Sequence, residues 1–180
     1  EPSLIYDYHG FPKSTYHLKW PASGHPELAG RIKSLLGEMD IVAAENPKRG
    51  FDHGVFVPML VSFPEADIPT VQLSMAKDLD PALHLDIGIA LAPLREEGVL
   101  IIGSGMSYHN MKKFLTPAAV RSSRKFNDWL EDVVALDQWS RYEELSNWMR
   151  APAARQCHPC EDHLIPLMVA AGAAGEDSGK

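Results

Sequence analysis

Three short runs of apolar and β-branched residues, Ile41 to Ala44, Ile68 to Leu73 and Val99 to Ile102, limit the fold more than any other feature of the chain. Each is brief and barely alternates, the pattern of a strand covered on both faces in an α/β sheet; periodicity alone also admits a buried helical turn. Between the second and third runs lies a helix with legible ends. Asp80 can cap it and Pro81 takes the first helical position, where a missing N–H costs nothing. Leu83, Ile87, Leu91 and Leu94 then fall along one stripe, Pro93 bends or shortens the last turn, and Gly98 separates the helix from the Val99 run. Strand, helix, strand is most economically a right-handed parallel crossover. The expected class is therefore α/β: a single domain over residues 1–180, with a central, largely parallel or mixed sheet flanked by helices.

Further helices are expected around that sheet. Glu27 to Leu36 carries Leu28, Ile32, Leu35 and Leu36, with Gly37 to close it. Thr116 and Pro117 open a helix whose apolar face holds Phe126, Trp129, Leu130 and Val133, and the aromatic side chains are read as helix packing. Ser140 and Glu143 resemble a capping box ahead of Leu145 and Trp148. A last helix runs through His163, Leu167, Met168 and Ala171.

Composition narrows the partners. A chain of 180 residues can bury a real core without a staple. Its 17 basic and 24 acidic side chains give a net charge of -7, which argues against a nucleic-acid surface. No apolar run approaches a membrane span. Two cysteines, Cys157 and Cys160, are too few for a secreted disulfide scaffold and suit a cytoplasmic location. Glu1-Pro2-Ser3-Leu4-Ile5 reads like the interior of a protein, so an upstream segment is expected, and residues 175–180 read as a loop. Nothing marks a surface for oligomerisation.

Histidines supply the candidate chemistry. His109 follows the Val99 run and the turn Gly103-Ser104-Gly105-Met106-Ser107-Tyr108, which would put it near the carboxyl end of a strand, where open α/β sheets bind ligands. It is either a satisfied structural histidine or an imidazole that takes and returns a substrate proton. Gly103-Ser104-Gly105 could alternatively cradle an anion with backbone N–H groups, although it lacks the ending of a Walker loop. His53 sits in the polar turn Arg49-Gly50-Phe51-Asp52-His53-Gly54, where a structural role or a pocket role is open and Asp52 could make a local turn bond. His84 lies opposite the apolar stripe of its helix and is expected at the surface or in a cap. Cys157-His158-Pro159-Cys160-Glu161-Asp162-His163 is the densest donor cluster. It could be a compact zinc knuckle, or His163 could contribute one ligand to a distributed site with Asp162 or Glu161 behind it, or stand in the first turn of a surface helix.

Taken in order, Ile5-Tyr6-Asp7-Tyr8-His9-Gly10-Phe11-Pro12, Asp52-His53-Gly54 with Pro58, Gly103-Ser104-Gly105 with His109-Asn110, and His158-Pro159 with Asp162-His163-Leu164 and Pro166-Leu167 form a specific set. That set resembles the 4,5-DOPA extradiol dioxygenase family, class III extradiol ring-cleaving enzymes of the LigB-like superfamily. The resemblance implies an enzyme that opens a small aromatic diol, DOPA or a related catechol, with O₂ at a mononuclear non-haem Fe(II), for which Zn(II) can substitute. It maps the family's C-terminal metal ligand onto His163, the acid/base histidine onto His109, and a second pocket histidine, which positions substrate or stabilises developing charge, onto His53. The family's two other ligands would lie upstream of the Tyr6-Asp7-Tyr8 region, and metal binding is not carried over to Cys157 or Cys160. A metal-dependent hydrolase, using bound water in place of O₂, and a non-catalytic protein retaining the fold are the competing classes.

Overall fold

The computed structural model describes residues 1–180, which divide into two compact units, Glu1–Ser74 and Met75–Lys180. In the first unit, strand β1 (Leu4–Ile5) pairs in parallel with β2 (Phe51–Asp52), Leu4 opposite Phe51 and Ile5 opposite Asp52. Gly50 makes this approach feasible. A Cβ there would come within 2.1 Å of the Ser3 carbonyl oxygen, the same oxygen that accepts the Phe51 N–H at 2.9 Å. Helix α1 (Pro26–Glu38) lies between the strands in sequence, and its first turn is capped by the His25 ring, whose Nδ1 accepts the Leu28 N–H at 3.2 Å. Helix α2 (His53–Ser62) begins directly after β2, so the strand delivers His53 onto the first turn of a helix. Trp20, Phe51, Phe56 and Met59 are buried together beneath it, and the Trp20 indole N–H is satisfied by the Phe63 carbonyl at 3.0 Å.

The second unit is helical: α3 (Pro81–Leu91), α4 (Pro93–Glu96), α5 (Pro117–Val134), α6 (Gln138–Ser146), α7 (Ala154–Cys157) and α8 (Ile165–Ala173). The caps are as the sequence implies for two of these. Asp80 accepts the Ala82 N–H at 2.8 Å and Thr116 accepts the Ala119 N–H at 3.2 Å. Pro93 ends α3 and starts the one-turn α4. Helices α3 and α8 meet backbone to backbone at Gly88 and Gly172. A Cβ at the first would stand 2.2 Å from the Val169 carbonyl oxygen, and at the second 2.1 Å from that of Leu85. Phe126, Leu145, Trp148, Ile165 and Met168 form the buried core over this crossing. Arg141 is buried in it, yet its guanidinium donates to the carbonyls of Leu136, Ala171, Gly175 and Asp177. The cation thus satisfies the end of α8, where the helix dipole is negative. No helix is long and apolar enough to cross a membrane.

The chain is thus helix-rich, with a small parallel sheet, and several expectations change. None of the three apolar runs forms a ladder; Thr70 alone makes an isolated parallel bridge, with Gly24. An apolar run supplies side chains to bury but not a partner strand, and Val42, Leu100 and Ile102 are exposed. His84 is buried, not at the surface: its Nε2 accepts the Ala76 N–H at 3.1 Å and its Nδ1 faces the Asp80 carbonyl at 2.5 Å. Its ring staples the turn before α3 to that helix. The Ser140 capping box is replaced by Asp137, whose carboxylate accepts the N–H groups of Trp139 and Ser140, so α6 starts three residues earlier than the box requires.

Candidate functional site

In the second unit, the segment Gly103 to Asn110 is laid against residues 156–166 by main-chain contacts. Met106 N–H donates to the His163 carbonyl at 2.8 Å and His109 N–H to the Cys157 carbonyl at 3.0 Å. Asn110, itself buried, donates through its amide to the Gln156 carbonyl at 2.8 Å. The glycines are explained by this seam. A Cβ at Gly103 would sit 2.3 Å from the Pro166 carbonyl oxygen, and one at Gly105 2.4 Å from that of His163. They serve close backbone approach to the start of α8.

The seam brings His109 and His163 into one place. Their rings stack with centroids 3.4 Å apart and planes 15° from parallel. Asp162 adjoins them: its Oδ2 lies 3.0 Å from His163 Nδ1. One donor atom from each of His109, Asp162 and His163 falls within 4.8 Å of the others, so the three can hold a metal ion. Burial pushes the Asp162 carboxyl upward, but the His163 charge and hydrogen bond, the Cys160 thiol and His109 outweigh it and leave the group below the ordinary carboxylate range. It is an anion at neutral pH. An imidazole whose Nδ1 is held by a carboxylate turns its Nε2 outward, the arrangement found at metal-binding histidines, so the donor chemistry fits a divalent transition metal.

Around this pair the site is mostly apolar. A cavity of about 240 Å³ opens beside His163, walled by Met106 and Ser107, by Leu130 and Val134 of α5, and by Leu167 of α8. Behind it His158 is fully buried, with Phe126 at 5.4 Å and Trp148 edge-on at 6.0 Å between ring centroids. Neither of its ring nitrogens has a hydrogen-bond partner; the Ser107 backbone is close enough to favour protonation but is not in bonding geometry. Desolvation dominates and holds this imidazole below its ordinary value. The neighbouring Cys157 is a core residue whose thiol is pushed up to about 11 by burial, so it is protonated at neutral pH.

His53 belongs to the first unit, at the start of α2. Its ring is partly exposed, its Nδ1 lies 2.8 Å from Asp7 Oδ1, and Tyr8 approaches edge-on at 6.1 Å. Asp52 makes no turn bond of its own. Its carboxylate takes Arg49 Nη2 at 2.9 Å and the Gln72 amide. Asp7 is the residue that reasoning from sequence passed over: it stands in the Tyr6-Asp7-Tyr8 motif, but nothing in local spacing connects it to a histidine 46 positions away.

With this geometry, comparison with known proteins is decisive. Residues 1–180 match the family described as the catalytic LigB subunit of aromatic ring-opening dioxygenase. The chain belongs to the LigB family. Among its relatives, the 4,5-DOPA dioxygenase extradiol of Beta vulgaris is 45% identical over 178 residues, covering 97% of this chain and 65% of the relative. The protein of the same name from Portulaca grandiflora is 41% identical over 184 residues, covering 98% of this chain and 66% of the relative. A crystal structure of an uncharacterized protein from Escherichia coli K12 superposes with a TM-score of 0.74 at 31% identity, covering 88% of this chain and 66% of that one. This LigB-family chain therefore spans just under two thirds of the length of the relatives it matches.

Proposed function

We propose that the protein containing this chain is an extradiol dioxygenase that opens the ring of DOPA or a related catechol with O₂ at a mononuclear non-haem Fe(II) site. The observation that carries the reading is the stacked His109–His163 pair, with Asp162 on His163, in a chain of a ring-opening family. On this reading residues 1–180 are part of one catalytic α/β domain with the central parallel or mixed sheet expected from the sequence, and the enzyme works in the cytoplasm.

His163 would hold the metal, with Zn(II) able to replace iron at an imidazole. When bound, Fe(II) supplies the redox chemistry that lets an aromatic ring react with O₂. The chain's own side chains do the rest. Asp162 fixes the His163 ring through Nδ1. His109, one stacking distance from the ligand, is placed to take a proton from a catechol hydroxyl and return it as the ring opens. The apolar walls of the adjacent cavity suit the face of an aromatic ring. His53 holds the substrate or, with its ring protonated, donates to negative charge as it develops, which lowers the barrier only to the extent that the bond strengthens in the transition state.

The test is turnover of the complete, iron-loaded protein with a series of catechols. Both atoms of labelled O₂ should enter a ring-opened product. A protein that retains Fe(II), is supplied with O₂ and yields no such product would overturn the reading.

A further inference from the structure

Asp7 spends a single carboxylate oxygen on two N–H positions of one residue. Its Oδ1 lies 3.1 Å from the His53 backbone nitrogen and 2.8 Å from ring Nδ1, across a separation of 46 residues. The backbone bond has a structural explanation. Asp52 occupies the N-cap position of α2 without a side-chain cap bond, its carboxylate being engaged by Arg49 and Gln72, so Asp7 satisfies that helix end from outside.

Capping does not require the ring bond. An ionised carboxylate only accepts, so the nitrogen facing it has to carry a proton. The carboxylate is ionised at neutral pH: burial pushes it upward, but the two His53 bonds outweigh this and leave it below its ordinary value. Neutral His53 is therefore the Nδ1–H tautomer, with Nε2 as an acceptor, and on protonation Nε2 becomes a donor whose charge Asp7 balances. Tyr8, edge-on to the ring, narrows its rotation further.

We propose that Asp7 is a positioning residue that sets the tautomer and ring orientation of His53, so that Nδ1 carries the proton of the neutral ring and Nε2 is its accepting nitrogen. The catalytic half of this inference rests on the proposed ring-opening activity; the tautomer half does not. The same device then recurs in the chain, with Asp162 setting His163 as Asp7 sets His53.

Ring-nitrogen NMR of the complete protein, with His53 assigned through His53→Gln, tests the first half. The neutral ring of the wild type should show Nδ1–H. Asp7→Asn keeps an oxygen acceptor and should retain that tautomer; Asp7→Ala should shift it toward Nε2–H. A purely capping Asp7 would leave the ring signal unmoved in both variants. Turnover tests the second half: kcat should fall about 10- to 100-fold in Asp7→Ala, with Asp7→Asn between it and wild type and KM within about twofold. Should Asp7→Ala fail to fold, Asp7→Asn decides the catalytic half, since an unchanged kcat there overturns it. An unchanged tautomer in a folded Asp7→Ala protein overturns the whole inference. If the wild type opens no catechol, the functional reading fails while the NMR result still stands.

Discussion

A histidine has two nitrogens, and what one touches decides what the other can do. In this chain Asp162 holds the Nδ1 side of His163, while His109 lies against the same ring as a stack. The two rings should therefore answer substitution differently. His163→Ala should lower metal affinity and turnover together, and Asp162→Asn should cost about 10- to 100-fold in metal affinity, both measured by competition with a chromogenic chelator. His109→Ala should leave metal content near wild type and reduce kcat by about 10²- to 10⁴-fold, the range for losing a general acid/base. Equal loss of metal in both histidine variants would mean that both are ligands. The histidines stand out in the sequence because each is embedded in a short motif with glycine, proline or aspartate. Asp7 does not, because its partner is brought to it only when β1 pairs with β2.

At the scale of elements, the site depends on how closely the Gly103–Asn110 segment rides on residues 156–166. Gly105→Ala would drive a Cβ to 2.4 Å from the His163 carbonyl oxygen, a backbone atom that cannot swing aside. The seam must open, and a loss of about 1–3 kcal/mol in urea unfolding, with weakened metal affinity, is expected. Gly37→Ala is the control: nothing lies within 4 Å of its Cβ position inside α1, so it should be neutral or stabilise by about 0.5–1 kcal/mol. Comparable destabilisation by both would remove the seam from the explanation. Helices α3 and α5 were legible because their starts are local events, a capping oxygen two or three residues from the N–H that it accepts and a proline that needs no donor. The strands were not, since Val99 to Ile102 looks like a strand from its side chains while a ladder is a property of two segments. What the glycines of the turn do is hidden for a related reason. Their role is set by the backbone of α8, some 60 residues further on.

Across the whole molecule, ionisable groups whose values shift on folding make stability depend on pH. His158 is held neutral by desolvation, below the 6.5 of an ordinary imidazole. The unfolded chain then binds a proton that the native one refuses, and stability falls as pH drops below about 6.5, with a limiting slope of about 1.4 kcal/mol per pH unit. Asp7, Glu161 and Asp162 act in a lower window. Their native values are depressed, so their contribution is present above the unfolded carboxylate range and is lost as pH falls through the native values. Cys157 works on the alkaline side: its thiol rises from 9.0 to about 11 on burial, so its contribution is complete below pH 9 and lost between about pH 9 and 11. Urea unfolding at pH 7.5 and 5.5 separates the first effect from the second. The wild type should lose stability between these points, and His158→Leu, which cannot titrate, should flatten the curve there while leaving the steep fall below pH 4 in place. If the variant keeps the wild-type slope, the buried imidazole is not what resists the proton, and its place between Phe126 and Trp148 is packing alone.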